Sequence, residues 1–401
     1  MSKSFCNEIR EWIIEGSCVL IMDEYIRGVM VKLRPSDEQK ALFDQNFGCC
    51  RKAHNEVLAR YAALHGEDYS KVPTKSELNK LLMEAKAQFS YLGDVESTSL
   101  QQAVYDLQPA FRNYIKSKRH KLPKFHTKRK TKCCFRQTIR EGKKLVNGNI
   151  LNLRVYGEVE IRTSTEYIDL LNRDDIKFNN VTVSTDGLYY YATFNVEGGI
   201  MPEQLPLTGK HIGCDINSNI NGWLVTSNDQ KEFFDINHEI QMIKTINQLM
   251  AKCRQKSRRW KKLHQRQIKW YNKRTNKLRD YIEKLSYNLV KEYDTIVFEK
   301  NYNTIKILIG GEQNMVFPLT LFIKRLKDKF KLYKPSADGV QFVNSKNTSK
   351  KCRHCGHIHE NLDVKTREFP CENCGKMLDR DVNAAINILN RWFDGDSSEN
   401  T

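Results

Sequence analysis

Four cysteines near the carboxyl end of the sequence have the spacing of metal ligands. They form two Cys-x-x-Cys pairs, Cys352 with Cys355 and Cys371 with Cys374, and fifteen residues separate the pairs. Each pair directs two thiolates toward one point, and two pairs complete a tetrahedral sulfur site that has no open position for a substrate. Unrelated free thiols or a redox pair would not need this spacing. The pattern therefore predicts one structural Zn²⁺ in a zinc ribbon.

Three carboxylates occupy the ends of predicted elements. Asp215 ends an apolar strand (HIGCD), Glu299 ends another (TIVFE), and Asp381 lies at the start of the last helix (LDRDVNAAINI). Each acid alone is most often a solvated strand end or a helix cap, but three converging acids cannot all stay ionised without a cation. Oxygen ligands favour Mg²⁺ or Mn²⁺, and a pair of such ions hydrolyses phosphodiesters. The residues alone do not separate Asp381 from Asp379, which lies two positions earlier.

The charge of the chain favours a polyanionic partner. The 401 residues include 66 Lys and Arg against 48 Asp and Glu, a net charge of +18. Thirteen of the cations lie between residues 252 and 279 and nine between 116 and 132, and neither stretch contains an acid. A surface that is merely solubilising would spread its charge more evenly. Since Lys and Arg that contact phosphates release counterions, the clustering favours a nucleic acid.

Aromatic residues lie among the cations of the second cluster. A ring such as Trp260 can stack on a base while neighbouring cations hold phosphates, although packing into a protein core is the alternative. We expect the following residues to contact nucleic acid: Lys124, Lys128, Arg129, Lys130, Lys252, Arg254, Arg258, Arg259, Trp260, Lys261 and Lys262.

The predicted secondary structure that must position these residues changes along the chain. A strand is predicted at 25–34, helices follow between 36 and 119, and the segment from about 133 to 198 is rich in β-structure. One of the helices is predicted from about 97 to 118, with a bend at Pro109. No apolar run approaches the length of a membrane span, so no membrane partner is expected.

The second half of the chain alternates strands with helices. Two strands are predicted within 209–230, and a long basic helical stretch follows at 237–292. Further along come a buried strand at 294–300, a helix at 318–333 and a strand at 339–344. A short helix at about 381–393 closes the pattern.

The order of these motifs resembles the TnpB family of transposon-encoded, RNA-guided DNA endonucleases. The motifs GCDIN, IVFE, NTSKKCRHCG, CENCG and DRDVNAAINI follow one another around the basic stretch, and KLRPSDEQKALFDQNFGCCRKAHNEV, SLQQAVYDL and LPKF precede them. The resemblance spans about residues 26–392. It implies that Asp215, Glu299 and Asp381 are the acids of a RuvC-type nuclease. It selects Asp381 over Asp379 because the family's third acid stands just before an Asn-Ala-Ala run.

The resemblance also implies an architecture. The expected fold class is multidomain α+β, with a RuvC (RNase H-like) α/β nuclease domain, an inserted zinc ribbon, and a β-barrel-like wedge domain that carries a helical recognition insertion. The expected domains are an N-terminal extension (1–24), the wedge-like β-domain (25–35 and 120–205), the helical recognition lobe (36–119), the RuvC-like domain (206–345 and 379–393, with the basic stretch 237–292), the zinc ribbon (346–378) and an acidic tail (394–401).

The function implied is cleavage of double-stranded DNA that a guide RNA selects next to a short adjacent motif. The cofactors would be Mg²⁺ or Mn²⁺, one structural Zn²⁺ and the guide RNA. The resemblance implies one protein copy per RNA, acting on the nucleoid in a prokaryotic cytoplasm. One departure from the family stands at the second acid, where Lys-Asn-Tyr-Asn follows Glu299 in place of the usual Asp-Leu-Asn.

Three alternatives remain open at this point. A miniature type V-F CRISPR effector shares the same motifs and would work as an asymmetric dimer. A guide-directed DNA-binding repressor would bind without cutting, but such a protein is expected to lack one of the acids. A transposase that joins strands itself would leave the zinc ribbon and the basic stretch without a role.

Overall fold

The structure is a computed structural model, and its described residues form two compact units, one up to residue 198 and one from residue 202 onward. The predicted extension (1–24) and tail (394–401) lie largely outside the described residues. The described ranges are 19–21, 24–66, 71–117, 121–128, 131, 133–139, 145–198, 202–218, 221–304, 317–363 and 366–395.

Eight strands of the first unit form one antiparallel sheet. They are β1 (Val19–Ile21), β2 (Glu24–Arg34), β3 (Cys133–Thr138), β4 (Val146–Asn147), β5 (Ile150–Leu153), β6 (Gly157–Arg162), β7 (Ile176–Thr185) and β8 (Tyr190–Gly198). Their order is β3-β7-β8-β2-β6-β5-β4, and β1 pairs with β2. The end of the predicted extension is therefore a strand of this sheet. No pairing joins β3 to β4 among the described residues, and closure into a barrel stays a prediction.

Five α-helices accompany this sheet in the part of the unit that the structure describes. They are α1 (Asp37–His65), α2 (Lys75–Gln88), α3 (Ser97–Tyr105), α4 (Leu107–Lys116) and α5 (Thr165–Leu171). The predicted continuous helix at 97–118 is wrong: α3 ends before Asp106, and α4 begins after it. Pro109 does not bend a helix, because it lies in the first turn of α4, where a proline removes no required hydrogen bond. Asp106 is held at the break by an ion pair with Arg136, whose Nη2 lies 2.8 Å from Oδ1.

The helices and the sheet of the first unit share one hydrophobic core. Alternate residues of β2, namely Val29, Val31 and Leu33, are buried, as expected for one face of a strand. Phe43 of α1 packs against this sheet, with its ring centroid 5.7 Å from that of Phe135 and 5.3 Å from that of Tyr156. Among the described residues, the helical segment thus shares its core with the sheet.

The second unit is centred on a mixed five-stranded sheet. Its strands are β9 (His211–Ile216), β10 (Asn221–Thr226), β11 (Lys231–Phe233), β12 (Thr295–Glu299) and β13 (Gly339–Val343). The order is β11-β10-β9-β12-β13, where β10 is antiparallel to both neighbours, and β12 is parallel to β9 and β13. The run from Thr295 to Phe298 is buried at every position, which is typical of a central parallel strand covered on both faces.

Helices cover both faces of this sheet. They are α6 (Asn237–Ala251), α7 (Arg258–Glu292), α8 (Leu319–Tyr333) and α9 (Arg380–Phe393). Residues of α6, α7 and α8 form one core with the sheet, whereas Ile388 of α9 packs on Val297 and Val343. A two-stranded sheet of β14 (Glu368–Pro370) and β15 (Met377–Asp379) precedes α9. Within the described chain, no helix has both the length and the apolar character needed to cross a bilayer.

The predicted helical stretch at 237–292 forms two helices, α6 and α7. Residues 252–257 separate α6 from α7, and Lys256 there has a positive φ of 62°. Ser257 caps α7 by accepting a hydrogen bond from the amide of Trp260. A serine at this position satisfies an amide that has no partner within the helix, and it therefore defines a new helix start.

Candidate active site and metal centre

Asp215 and Glu299 are neighbours at one edge of the mixed sheet. β9 and β12 run parallel, and their register pairs Cys214 with Phe298. The next residue of each strand is therefore one of the two acids, and both are half-buried. Because parallel strands end at the same sheet edge, the two carboxylates converge there.

A glycine brings the helix of the third acid close to the same strand. A Cβ atom on Gly213 of β9 would lie 2.1 Å from the carbonyl oxygen of Ala385 and 2.9 Å from Cβ of Leu389. Neither distance is possible for a real side chain, so only glycine permits this approach of α9. The first turn of α9 carries Asp381, and the close approach sets that turn beside the end of β9.

The charges of Glu299 and Asp381 act on the carboxyl group of Asp215. Burial raises the pKa of Asp215 to about 8, and the charges of Glu299 and Asp381 add to the rise, while Arg380 opposes it. Burial also raises the pKa of Glu299, against a hydrogen bond from Thr348. Three such carboxylates ionise together only when a cation balances them. Their oxygen donors suit a hard divalent ion such as Mg²⁺ or Mn²⁺.

The side chains of Asp379 and Asp381 have different partners. Oδ1 of Asp379 accepts hydrogen bonds from the amides of Asp381 and Val382, at 2.9 and 3.0 Å, and so caps α9. Its Oδ2 lies 2.8 Å from Nζ of Lys231. Burial acts to raise the pKa of Asp379, but Lys231 and the helix amides outweigh it and hold the pKa below its usual value. Asp379 is therefore a helix cap with both oxygens engaged.

Asp381 is engaged by an arginine of the ribbon. Nη1 of Arg367 lies 2.9 Å from each carboxylate oxygen of Asp381. In this arrangement the acids are not gathered around one point: among the described residues, no set containing all three has its donor atoms within 4.8 Å of one another. Arg367 was not identified from the sequence. The only signal there was an arginine four positions before Cys371 in a segment already attributed to the zinc ribbon.

The four cysteines converge on one point in the second unit and could hold a metal ion. Sγ of Cys352 lies 3.8 Å from Sγ of Cys374, and Sγ of Cys355 lies 3.6 Å from Sγ of Cys371. A tetrahedral ion with Zn–S bonds of about 2.3 Å requires sulfur atoms about 3.8 Å apart. A backbone hydrogen bond from His357 lowers the pKa of Cys355, which favours its thiolate. The predicted convergence of the four cysteines is confirmed, and their geometry fits Zn²⁺.

The first cysteine pair is attached to the helix that carries Asp381. Asn383 and Asn387, one turn apart on α9, are buried and both donate to the carbonyl of Lys351, at 2.8 and 2.6 Å. Asn387 also donates to the carbonyl of Thr348 at 2.8 Å. The hydroxyl of Thr348 in turn donates to Oε1 of Glu299. The ribbon thus holds a residue that orients Glu299, and hydrogen bonds connect the four-cysteine segment to Glu299 and to the helix of Asp381.

The structure describes most of the residues that were predicted to contact nucleic acid. Trp260 is half-buried and stacks on His264, with ring centroids 4.9 Å apart. Lys124 and Lys128 of the first unit are exposed. Arg129 and Lys130 lie outside the described residues. Six cations of the second unit are exposed and form no ion pair with any described residue: Lys252, Arg254, Arg258, Arg259, Lys261 and Lys262.

Three family profiles match different parts of the chain. A helix-turn-helix domain profile of the IS605 OrfB type matches residues 22–68. The IS605 OrfB profile described as "Probable transposase" matches residues 182–303. A profile described as "Cas12f1-like, TNB domain" matches residues 321–388, which include the four cysteines and Asp381.

Curated relatives and a solved structure match most of the chain. A "Putative RNA-guided DNA endonuclease" of Streptomyces pristinaespiralis is 27% identical over 92% of this chain and 90% of its own length. The "Putative RNA-guided DNA endonuclease InsQ" of Escherichia coli K12 is 26% identical over 89% of this chain and 90% of its own length. A chain from the structure "Cryo-EM structure of the Cas12f1-sgRNA-target DNA complex" covers 91% of this chain and 98% of itself, with a TM-score of 0.44 and 13% identity. The predicted resemblance is confirmed, because the chain carries domains of the TnpB/IS605 transposase family and has TnpB-type relatives.

Proposed function

We propose that this protein is an RNA-guided DNA endonuclease that hydrolyses phosphodiester bonds of target DNA with divalent metal ions. The observation that carries the proposal is the pairing of Asp215 and Glu299 at the end of two parallel strands, with Asp381 on the helix packed against them. The names and the coverage of the bacterial relatives support it. The finer assignments proposed are a RuvC (RNase H-like) domain in the second unit and a wedge with a recognition lobe in the first.

Asp215, Glu299 and Asp381 would hold the metal ions. Mg²⁺ bound there would activate a water molecule and stabilise the charge on the leaving oxygen. Two sets of hydrogen bonds would position these acids. Thr348 donates to Glu299 and orients it. Asn383 and Asn387 bind α9, which carries Asp381, to the backbone of Lys351 and Thr348. Asp379 keeps the helix start in place and is not proposed as a ligand.

Arg367 would neutralise negative charge at the same site. In the structure its guanidinium forms an ion pair with Asp381. Its side chain is 53% exposed, so it can turn toward an anionic phosphate once Asp381 has another partner. A guanidinium suits that role because its planar donors match phosphate oxygens.

The exposed cations on both units would bind the guide RNA and the target strands. Such contacts are to the phosphate backbone, while base pairing with the guide reads the sequence and the protein reads only a short adjacent motif. We propose one protein copy per guide RNA, with activity on the nucleoid in the cytoplasm.

Sequencing of the RNA that copurifies with the chain, expressed together with its native flanking DNA, tests the proposal. One discrete RNA that ends in a variable guide, followed by Mg²⁺-dependent cleavage of matching DNA, is the expected result. RNAs built from repeats and spacers would move the protein to the type V-F CRISPR effectors. Absence of a defined RNA would show that the protein is not RNA-guided. Guide-directed DNA binding without cleavage would favour the DNA-binding repressor.

A further inference from the structure

Two histidines and a glutamate of the zinc ribbon form a second group of metal-ligating side chains. One donor atom from each of His357, His359 and Glu372 lies within 4.8 Å of the other two. None of the three is needed by the four-cysteine centre, whose sulfur atoms already complete a tetrahedral set. The two histidines follow the first Cys-x-x-Cys pair, and Glu372 lies inside the second pair. The group therefore joins the two halves of the ribbon.

Two distances within the group are close to those between ligands of a common ion. Nε2 of His357 lies 3.5 Å, and Nδ1 of His359 lies 3.8 Å, from the same oxygen, Oε2 of Glu372. Charge-assisted hydrogen bonds are shorter, about 2.7–2.9 Å. Ligands held at about 2.0–2.2 Å from a tetrahedral ion lie about 3.3–3.6 Å from each other. The spacing is thus too long for direct hydrogen bonds and close to that of two ligands of one metal.

Burial and packing hold the ring of His359 in place. His359 is only 3% exposed, and its Nε2 has no hydrogen-bond partner within the described chain. The ring packs between the rings of His357 and Phe369, with centroids 4.8 and 5.0 Å away. Nδ1 is the nitrogen that faces Glu372, so an ion at the group would bind a ring that burial and packing already hold in place.

Access to the group is open on one side. Glu372 is 74% exposed and His357 is 37% exposed, so a hydrated ion can reach them from solvent. The backbone of His357 is already fixed, because its carbonyl accepts a hydrogen bond of 2.8 Å from the amide of Cys352. One side of the group is therefore held in place before an ion binds, which reduces the ordering that binding requires.

We propose that His357, His359 and Glu372 bind a second transition-metal ion of the Zn²⁺ class, with water in the remaining position. Two imidazoles and one carboxylate suit zinc, cobalt or nickel and not Mg²⁺. The ion would connect the two halves of the ribbon independently of the cysteines. The proposal does not depend on the nuclease assignment, since the ribbon alone carries it.

Metal content of the full-length, tag-free protein tests this proposal. After equilibration with micromolar Zn²⁺ and removal of free ion, elemental analysis should give two zinc ions per chain. Glu372→Gln and His357→Asn should each reduce the content to one, while the matched control Lys376→Ala, an exposed residue of the same ribbon, should keep two. One ion in the parent chain, or two in both variants, would overturn the proposal.

Cobalt substitution distinguishes the two sites by their ligands. One equivalent of Co²⁺ should give the strong thiolate charge-transfer absorption of a four-cysteine centre. A second equivalent should add only weak absorption without charge transfer, and Glu372→Gln should abolish that second phase alone. If both variants lose the thiolate signal together with the second phase, the group is part of the cysteine centre and the proposal fails.

Discussion

Arg367 of the zinc ribbon and Asp381 at the start of α9 form an ion pair, with Nη1 of the arginine 2.9 Å from each carboxylate oxygen. The arginine is 53% exposed and the aspartate 16%. The pair therefore links the segment that contains the four cysteines to an acid of the proposed active site. It also means that Arg367 and a metal ion would compete for the same carboxylate.

We expect Arg367→Ala to lower the rate of DNA cleavage about 100-fold. Loss of one preorganised donor that stabilises the transition state typically lowers a rate by about this factor. The Mg²⁺ concentration for half-maximal cleavage should fall, because Asp381 no longer has a competing partner. Arg367→Lys should retain part of the rate, and Lys376→Ala should match the parent. Cleavage rates measured across a Mg²⁺ series check both effects, and an unchanged rate for Arg367→Ala would exclude a role for this residue.

The two aspartates at the start of α9 should respond differently to mutation. Asp381→Asn, like Asp215→Asn and Glu299→Gln, should reduce cleavage about 1,000-fold or more while guide-RNA binding persists. Asp379→Asn should keep most of the cleavage and lose about 1 kcal/mol or less of stability, because it weakens a helix cap and a half-exposed ion pair with Lys231. Single-turnover cleavage and RNA-binding assays on the four variants test this. Full cutting by the Asp215 variant would contradict the proposed function.

Gly213 should be intolerant of even a methyl group. Gly213→Ala forces α9 away from β9, because the added Cβ would lie 2.1 Å from a backbone oxygen of the helix. We expect a loss of about 1–3 kcal/mol of stability together with loss of cleavage, since Asp381 moves with the helix. Gly48→Ala is the matched control, because that glycine lies inside α1 with open space around it, and the change should stabilise slightly. Thermal denaturation compares the two, and equal midpoints would refute the argument.

The four-cysteine centre should be required for folding of the ribbon and also for cleavage. Cys371→Ser should remove zinc and unfold the segment, because metal-binding energy is folding energy in such modules. Cleavage should be lost with it, since the ribbon holds Thr348 against Glu299 and Arg367 against Asp381. Zinc content, limited proteolysis and cleavage assays measure the three effects. A zinc-free variant that stayed folded and fully active would show that the centre has no structural role.

The first unit should lose stability in mild acid through a buried pair of histidines. The rings of His54 and His126 stack with centroids 3.7 Å apart. Burial lowers the pKa of His54 to about 4 and that of His126 to about 3. Because the unfolded chain takes up protons near the ordinary value of 6.5 while the folded chain does not, stability is complete above pH 6.5 and falls as the pH drops below it.

The expected loss at pH 5 is about 2 kcal/mol for His54 alone. Denaturant unfolding between pH 7 and pH 5 measures it. His126→Phe keeps the ring stack but removes one titrating group, so its stability should depend less steeply on pH than that of the parent. Equal pH slopes for the parent and the variant would contradict the prediction.

Local patterns in the sequence were sufficient for the chemistry that depends on spacing. Two Cys-x-x-Cys pairs define a sulfur site because each pair is a tight turn, and the four sulfur atoms lie where the spacing predicts. The strand that ends at Glu299 is likewise a local pattern. Helix breaks were predicted poorly. The interruption at Asp106 depends on its ion pair with the distant Arg136, and α7 begins at a serine cap inside a continuous basic stretch.

The tertiary structure decided which local candidates meet. The residues alone do not separate Asp379 from Asp381, but packing makes the first a helix cap that pairs with Lys231 and pairs the second with Arg367. The register of β9 with β12 aligns Asp215 and Glu299, and no local pattern contains a register between strands some eighty residues apart. Arg367 and Gly213 gain their roles from neighbours distant in sequence. Spacing determines what a short segment can bind, whereas long-range contacts determine which side chains share a site and what charge they carry there.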